Sequence, residues 1–308
     1  VFLSLFLLAH FFTGLSLHMK RLWFGLLFIL WSPWALAIAP YMTADKVAAG
    51  TLTQVLDAVE AKTVAAGFTT LGKYKPAGLP QYAVLVVSDS GLLKAIHRIG
   101  GSSIVGAGIR ISVQIDGTVA YMNPDYWYRA YFRTAFGSAQ PAVRQVQAKL
   151  ADALGEGAGF GGDESAQDLP HYRYMTGMES FDSDKNLLAT SKDFGTAADS
   201  IRANLARGIN HTAKVYEVVM ADKKMAVFGV AMNDEQSGDG RWVYKIGGED
   251  YIAGLPYEIY VVGNKSYALY GRYRIAIGWP NLGMDHFARI TDVPDAIRET
   301  LRGVAQAQ

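Results

Sequence analysis

The sequence predicts an α+β protein made of two related lobes, each with helices packed on an antiparallel sheet. Three observations lead there. One order of elements (helix, two strands, hairpin, proline, helix) recurs along the 308 residues. The clearest strands alternate apolar and polar side chains, as antiparallel strands with one wet face do. Helices are grouped against runs of strands, which argues against a doubly wound parallel sheet.

In the first half, Thr51 with Gln54 three residues later forms a capping box, and Leu52, Val55, Leu56 and Val59 follow at helical spacing until Gly67. Strands over 68–74 and 82–87 are joined across Pro76-Ala77-Gly78. Ser88 or Asp89 caps a second helix that carries Leu92, Leu93, Ile96 and Ile99 and stops at Gly100-Gly101. Ile109, Ile111, Val113 and Ile115 then alternate with Arg110, Ser112 and Gln114, and Asp116-Gly117 turns the chain into 118–121. Alternation across Asp-Gly is a hairpin signal. Asn123-Pro124 opens an aromatic helix over 125–133.

The second half reuses the plan. A helix over 196–208 places Ala198, Ile201 and Leu205 on one face, and strands 214–220 and 225–232 flank the turn Ala221-Asp222-Lys223-Lys224. Residues 233–241 read as a polar loop, and 257–262 pairs with 266–270 across Gly263-Asn264. Tyr273, Ile275 and Ile277 alternate as a further strand that Trp279-Pro280 ends, and a last helix from Pro294 buries Ile297, Leu301 and Val304. This gives an N-terminal lobe over 41–137 and a C-terminal lobe over 190–308. The connector, 138–189, holds a helix over 141–154 with Val143, Val146 and Leu150 for docking. Five glycines among residues 155–162 then read as a flexible hinge.

Composition narrows the function. Half the residues are hydrophobic and 19% are charged, which excludes a disordered or collagen-like chain. With 29 basic and 28 acidic side chains there is no cationic excess to neutralise phosphates, so nucleic acid is not an expected partner. The absence of cysteine excludes disulfides, thiolate zinc sites, iron–sulfur clusters and a cysteine nucleophile. No cofactor or metal is expected.

From Met19, the basic pair Lys20-Arg21, the apolar run 22–31, the break at Ser32-Pro33 and Ala35-Leu36-Ala37 follow the order of a secretory signal peptide over 19–37. Cleavage after Ala37 uses Ala35 and Ala37 as the small residues; cleavage after Ala39 puts Pro40 just beyond the cut. The apolar run is short for a membrane span, and the alternative is an uncleaved anchor. Residues 1–18 read as an upstream-extended translation. The expected location is the periplasm or the exterior.

The residues Ala66-Gly67-Phe68-Thr69, the strand 82–87, the helix around 92–99, and 110–116 leading to Tyr121-Met122-Asn123-Pro124 resemble the bacterial domain-of-unknown-function family 302. The likeness spans about 51–133, and 190–279 looks like a divergent copy containing Gly254-Leu255-Pro256. The resemblance implies a small unit of helices on a curved antiparallel sheet, similar in layout to TATA-binding-protein halves. It implies no catalytic residues. The Leu-Pro-Cys segment prominent in that family has no cysteine here.

No HExxH motif, nucleophile elbow, Walker loop or pair of histidines at metal-ligand spacing is present. Gly157, Gly159 and Gly162 match GxGxxG but follow a helix instead of a strand, the wrong context for a dinucleotide. His97-Arg98 suits a helix C-terminus, and Asp285-His286 are neighbours that should not face each other on a helix.

Aromatic residues are the unusual feature. Asn123, Tyr126, Trp127 and Tyr131 on one helix, with Arg110, Arg272 and Arg274 as possible anion contacts, form the candidate ligand site. The competing explanation is that the rings cover the sheet and the arginines lie on solvated sheet faces. The leading expectation is a non-catalytic module binding a small apolar or weakly anionic ligand, or an envelope protein. The alternatives are a hydrolase or isomerase with Asp125, Asp285 or His286 at the lobe junction, and a structural assembly factor. Homo-oligomers are compatible with all three.

Overall fold

The computed structural model describes residues 37–235 and 237–306, so the signal-segment and upstream readings for 1–36 lie outside the described residues. The chain is α+β, with two larger antiparallel sheets. Strands β1 (Ala37–Ile38) and β2 (Tyr41–Thr43) precede helix α1 (Leu52–Ala65). Then come β3 (Thr69–Tyr74), β4 (Tyr82–Ser88), α2 (Ser90–Ile99), β5 (Ile109–Gln114), β6 (Val119–Met122) and α3 (Pro124–Phe132). Helix α4 (Phe136–Leu154), β7 (Gly159–Phe160) and β8 (Glu164–Ser165) follow. The second sheet and the helices between its strands comprise β9 (Leu187–Thr190), α5 (Phe194–Ala206), β10 (Thr212–Met220), β11 (Met225–Met232), α6 (Asp239–Lys245), β12 (Tyr257–Val262) and β13 (Lys265–Tyr267). The chain closes with α7 (Gly271–Gly278), α8 (Met284–Phe287) and α9 (Val293–Ala305).

Local chemistry explains the element starts. Thr51 and Gln54 satisfy each other's backbone N–H groups at the start of α1 (3.3 and 2.8 Å). Asp89 Oδ1 accepts from Leu92 N at 2.9 Å and starts α2, which ends at Gly100 with φ 78°. At the β5–β6 turn Gly117 has φ 83°, and a Cβ there would lie 2.0 Å from the Val47 carbonyl oxygen. Only glycine fits.

The sheets repeat one order. The first runs β3-β4-β5-β6-β2-β7 and the second β10-β11-β12-β13-β9. In each, the strand before the first helix returns to pair with the last strand of the hairpin. Both edge strands carry a register shift, between Thr70 and Gly72 in β3 and between Lys214 and Tyr216 in β10. There the edges meet: a Cβ on Gly72 would lie 2.1 Å from the Val215 carbonyl oxygen. The buried side chains form one continuous core from Ile38 to Ala305, spanning both sheets. No helix among the described residues is long and apolar enough to cross a membrane.

Three expectations are corrected. The strand expected at Tyr273, Ile275 and Ile277 is helix α7. Residues 273–278 are buried on every side, so apolar periodicity carries no helical signal there. Its counterpart in the first half is therefore α3, and Tyr270-Gly271 takes the place of Asn123-Pro124. The glycine-rich stretch expected to be a hinge is tied into the first sheet, with Gly159 and Phe160 paired to Met42 and Tyr41. The loop expected over 233–241 turns helical at Asp239, whose side chain is buried.

The contact at Gly72 gives a test. Gly72→Ala should lower stability by about 2–3 kcal/mol in urea denaturation, since backbone cannot move aside as a side chain can. Gly137→Ala, in α4 with nothing near the added methyl, should be neutral or stabilising by up to ~1 kcal/mol.

Candidate functional site

The third strand of each sheet carries one charged residue, in second place, Arg110 on β5 and Glu258 on β12. These two meet. Arg110 Nη1 lies 2.5 Å from Glu258 Oε1, its Nε donates to the Ala253 carbonyl at 2.8 Å, and its Nη2 donates to the Tyr131 hydroxyl at 3.3 Å. Arg274 approaches the other Glu258 oxygen at 3.4 Å and donates to the Gly254 carbonyl. Both guanidiniums lie against the Trp127 ring, at 4.7 and 5.0 Å from its centroid. Arg110, Arg274 and Trp127 are 0% exposed.

Helix α3 ties this centre to the rest of the fold. Trp127 Nε1 donates to the Pro40 carbonyl (2.9 Å), Tyr126 to the Ile277 carbonyl (2.9 Å), and Asn123 Nδ2 to the Ala39 carbonyl (2.8 Å). Tyr41 donates to the Gly278 carbonyl at 2.7 Å. Six of the seven candidate residues thus lie together, in a closed interior and not in a groove. None of Arg110, Asn123, Tyr126, Trp127, Tyr131 and Arg274 lines any of the five cavities described for the molecule.

A second carboxylate balances the charge. Asp239 accepts from the Tyr74 hydroxyl (2.6 Å), the Met232 amide (3.3 Å) and Trp242 Nε1 (3.4 Å). Burial pushes its pKa from 3.8 up to about 6, against the pull of these donors and of Arg274. Burial also opposes the charge on Arg110, yet Tyr131 and Glu258 outweigh it and hold Arg110 firmly protonated. Two buried cations therefore face Glu258, and Arg274 also acts on an Asp239 that gives up its proton only above mildly acidic pH.

Arg272 stands apart, half exposed, at a separate cavity of about 250 Å³. Apolar side chains from three stretches line it: Tyr174, Met175 and Met178; Met284, Phe287 and Ala288; Ile290 and Pro294. Tyr174 and Phe287 stack at 6.3 Å. The nearest anion to Arg272 is Glu179 at 3.9 Å, and that carboxylate is already held by Lys185 at 2.6 Å. The buried Tyr174 hydroxyl faces the Arg272 guanidinium. An apolar hollow with a half-exposed cation at its edge can hold an amphiphile by its anionic end.

No protein-family model matches the chain, and no curated protein or solved structure matches it. The site must be argued from its own geometry. Asp125 forms an ion pair with Arg129 at 3.1 Å on α3. Asp285 and His286 do touch, at 3.1 Å, contrary to the helical-spacing expectation, because they begin a single exposed turn. None of these three residues lines the five cavities. His97 reaches across to Asp222 on the second half at 2.5 Å. Among the described residues no group of three possible ligands could hold a metal ion.

Sequence reading missed Glu258, Asp239 and the methionine-lined cavity. A lone glutamate in the apolar strand 257–262 was the available signal for Glu258. Nothing local marked the cavity.

Two substitutions probe the centre. Glu258→Gln leaves two buried guanidiniums short of an anion and should cost about 3–5 kcal/mol in denaturant unfolding. For Asp239 the folded pKa lies above the unfolded value, so its contribution is complete below about pH 4 and lost as pH rises through about 6. Wild type should therefore lose stability relative to Asp239→Asn across that window and run parallel to it above pH 7. Parallel curves throughout would remove Asp239 as the titrating group.

Proposed function

We propose that this is an exported, non-catalytic binding protein for a small apolar anion, held in the cavity between Tyr174, Met178, Phe287 and Ile290 with its charge on Arg272. The carrying observation is a half-exposed guanidinium beside an apolar hollow. At roughly 30 Å³ per heavy atom, a 250 Å³ cavity holds about eight such atoms, the size of a medium-chain carboxylate. Methionines suit a mobile hydrocarbon tail because their side chains re-pack at little cost. Met175 and Met284 are 44% and 67% exposed, an arrangement more useful to a ligand than to a folded core.

Export rests on the leader-like order of residues 19–37. The fold bears on where the cut falls. The Ala39 and Pro40 carbonyls accept hydrogen bonds from Asn123 and Trp127. Cleavage after Ala37 keeps both acceptors, whereas cleavage after Ala39 removes the first. The repeated strand order supports a duplicated unit of the kind seen in domain-of-unknown-function family 302.

Titration calorimetry with hexanoate should show one saturable site with a negative heat-capacity change, and hexylamine should not bind. Arg272→Glu should weaken hexanoate at least ~10-fold, the equivalent of one lost charge-assisted contact. Ala288→Phe, which fills the hollow, should do the same. Wild-type protein that fails to saturate, or an Arg272→Glu protein that binds equally well, would overturn the reading.

A further inference from the structure

A second cavity, of about 320 Å³, lies where the C-terminal end of α3 meets residues 170–182. Its character is the reverse of the first. Two arginines, Arg133 and Arg173, line it together with His171, and the hydroxyls of Thr134 and Ser180 share its wall. One carboxylate, Asp182, opposes them and is paired with Arg133. Neither Arg173 nor His171 has a side-chain hydrogen bond or ion pair among the described residues. Cations gathered in a hollow repel one another, and here only Arg133 has its charge balanced.

The placement of Arg133 is specific. It is the residue after α3, with φ 50°, a backbone conformation that a side-chain-bearing residue adopts at a cost. Its guanidinium rests over the Phe181 ring at 4.5 Å. The stack and the Asp182 pair fix the plane of the fork, leaving its remaining N–H groups for another acceptor.

We propose that this cavity binds a phosphoryl dianion, free or as the monoester of a small polar alcohol, gripped by Arg133 and Arg173 and completed by the donors of His171, Thr134 and Ser180. Planar guanidiniums match the oxygens of a tetrahedral dianion in paired hydrogen bonds, and hydroxyls fill its other lone pairs. A carboxylate ligand would leave several of these donors idle. Five heavy atoms of phosphate occupy roughly half the volume at about 30 Å³ each, so an esterified group has room beside it. The site is separate from the methionine-lined cavity and takes a ligand of different chemistry.

The experiment is titration calorimetry of the full chain at low ionic strength with inorganic phosphate and with glycerol 3-phosphate. Saturable binding is expected, weakened at least ~10-fold by Arg173→Glu and less by Arg173→Gln. Arg173 is exposed, so both variants should keep the wild-type circular dichroism spectrum and melting temperature. Tighter binding of glycerol 3-phosphate assigns the site to the ester, equal binding to the free ion, and both uphold it. Absence of saturation with either probe, or unchanged affinity in both Arg173 variants, overturns it.

Discussion

The pairing of Arg110 with Glu258 is the constraint around which this fold closes. The two residues hold the same place on the third strands of two sheets with one strand order, and they meet with essentially no solvent access. A buried ion pair contributes little net stability, because desolvation of both charges offsets their attraction. Its effect is on specificity. A sheet that slipped by one residue would turn Arg110 or Glu258 to the opposite face and leave the other charge alone in the core. Arg274 and Trp127 extend the same logic: the indole lies against both guanidiniums while its N–H is held by the Pro40 carbonyl. Strand β2, α3, α7 and the third strands must therefore all be in place before any of these groups is satisfied.

That closure leaves the open hollows on the periphery. Where two similar sheets meet, a groove is the natural place to look for a ligand, but here hydrogen bonds from Tyr41, Tyr126 and Arg110 to carbonyls of the second half fill it. The two hollows beside Arg272 and Arg173 lie instead against residues 170–182, where the backbone is irregular, and the faces of the last helices. Adjacent residues of α7 show the division: Arg274 serves the core, Arg272 one cavity, and Tyr273 the wall of another.

Much of the first half was legible because its signals are local. Thr51 and Gln54, Asp89, Asp116-Gly117 and Asn123-Pro124 each act within a few residues, and each performs the expected step. Arg110 shows where such reading ends. Alternation places it on the polar face of its hairpin, and that is correct, but no local pattern reveals that Ala253 and Glu258 cover that face. Helix α7 was misread for a related reason. A helix enclosed on all sides has no polar stripe, so apolar residues at 273, 275 and 277 read as a strand period. The methionine-lined cavity draws on three stretches between 174 and 294, a separation that leaves no trace in spacing.

The unpaired groups that remain follow from this architecture. Arg274 Nη1 and the hydroxyls of Tyr128, Tyr216 and Tyr257 are buried without a partner. Glycine makes room for one of them, since a Cβ on Gly108 or Gly229 would lie 2.8 or 2.2 Å from Tyr216 atoms. Two sheets packed together around one buried charge cluster do not also place every hydroxyl within reach of an acceptor. The core accepts that cost, of about 1–3 kcal/mol for each group left dry, because replacing these tyrosines by smaller side chains would open cavities of comparable cost. In this centre the charges of Arg110, Arg274 and Glu258 are spent on one another and on backbone carbonyls, whereas Arg272 and Arg173 lie on the periphery beside open hollows.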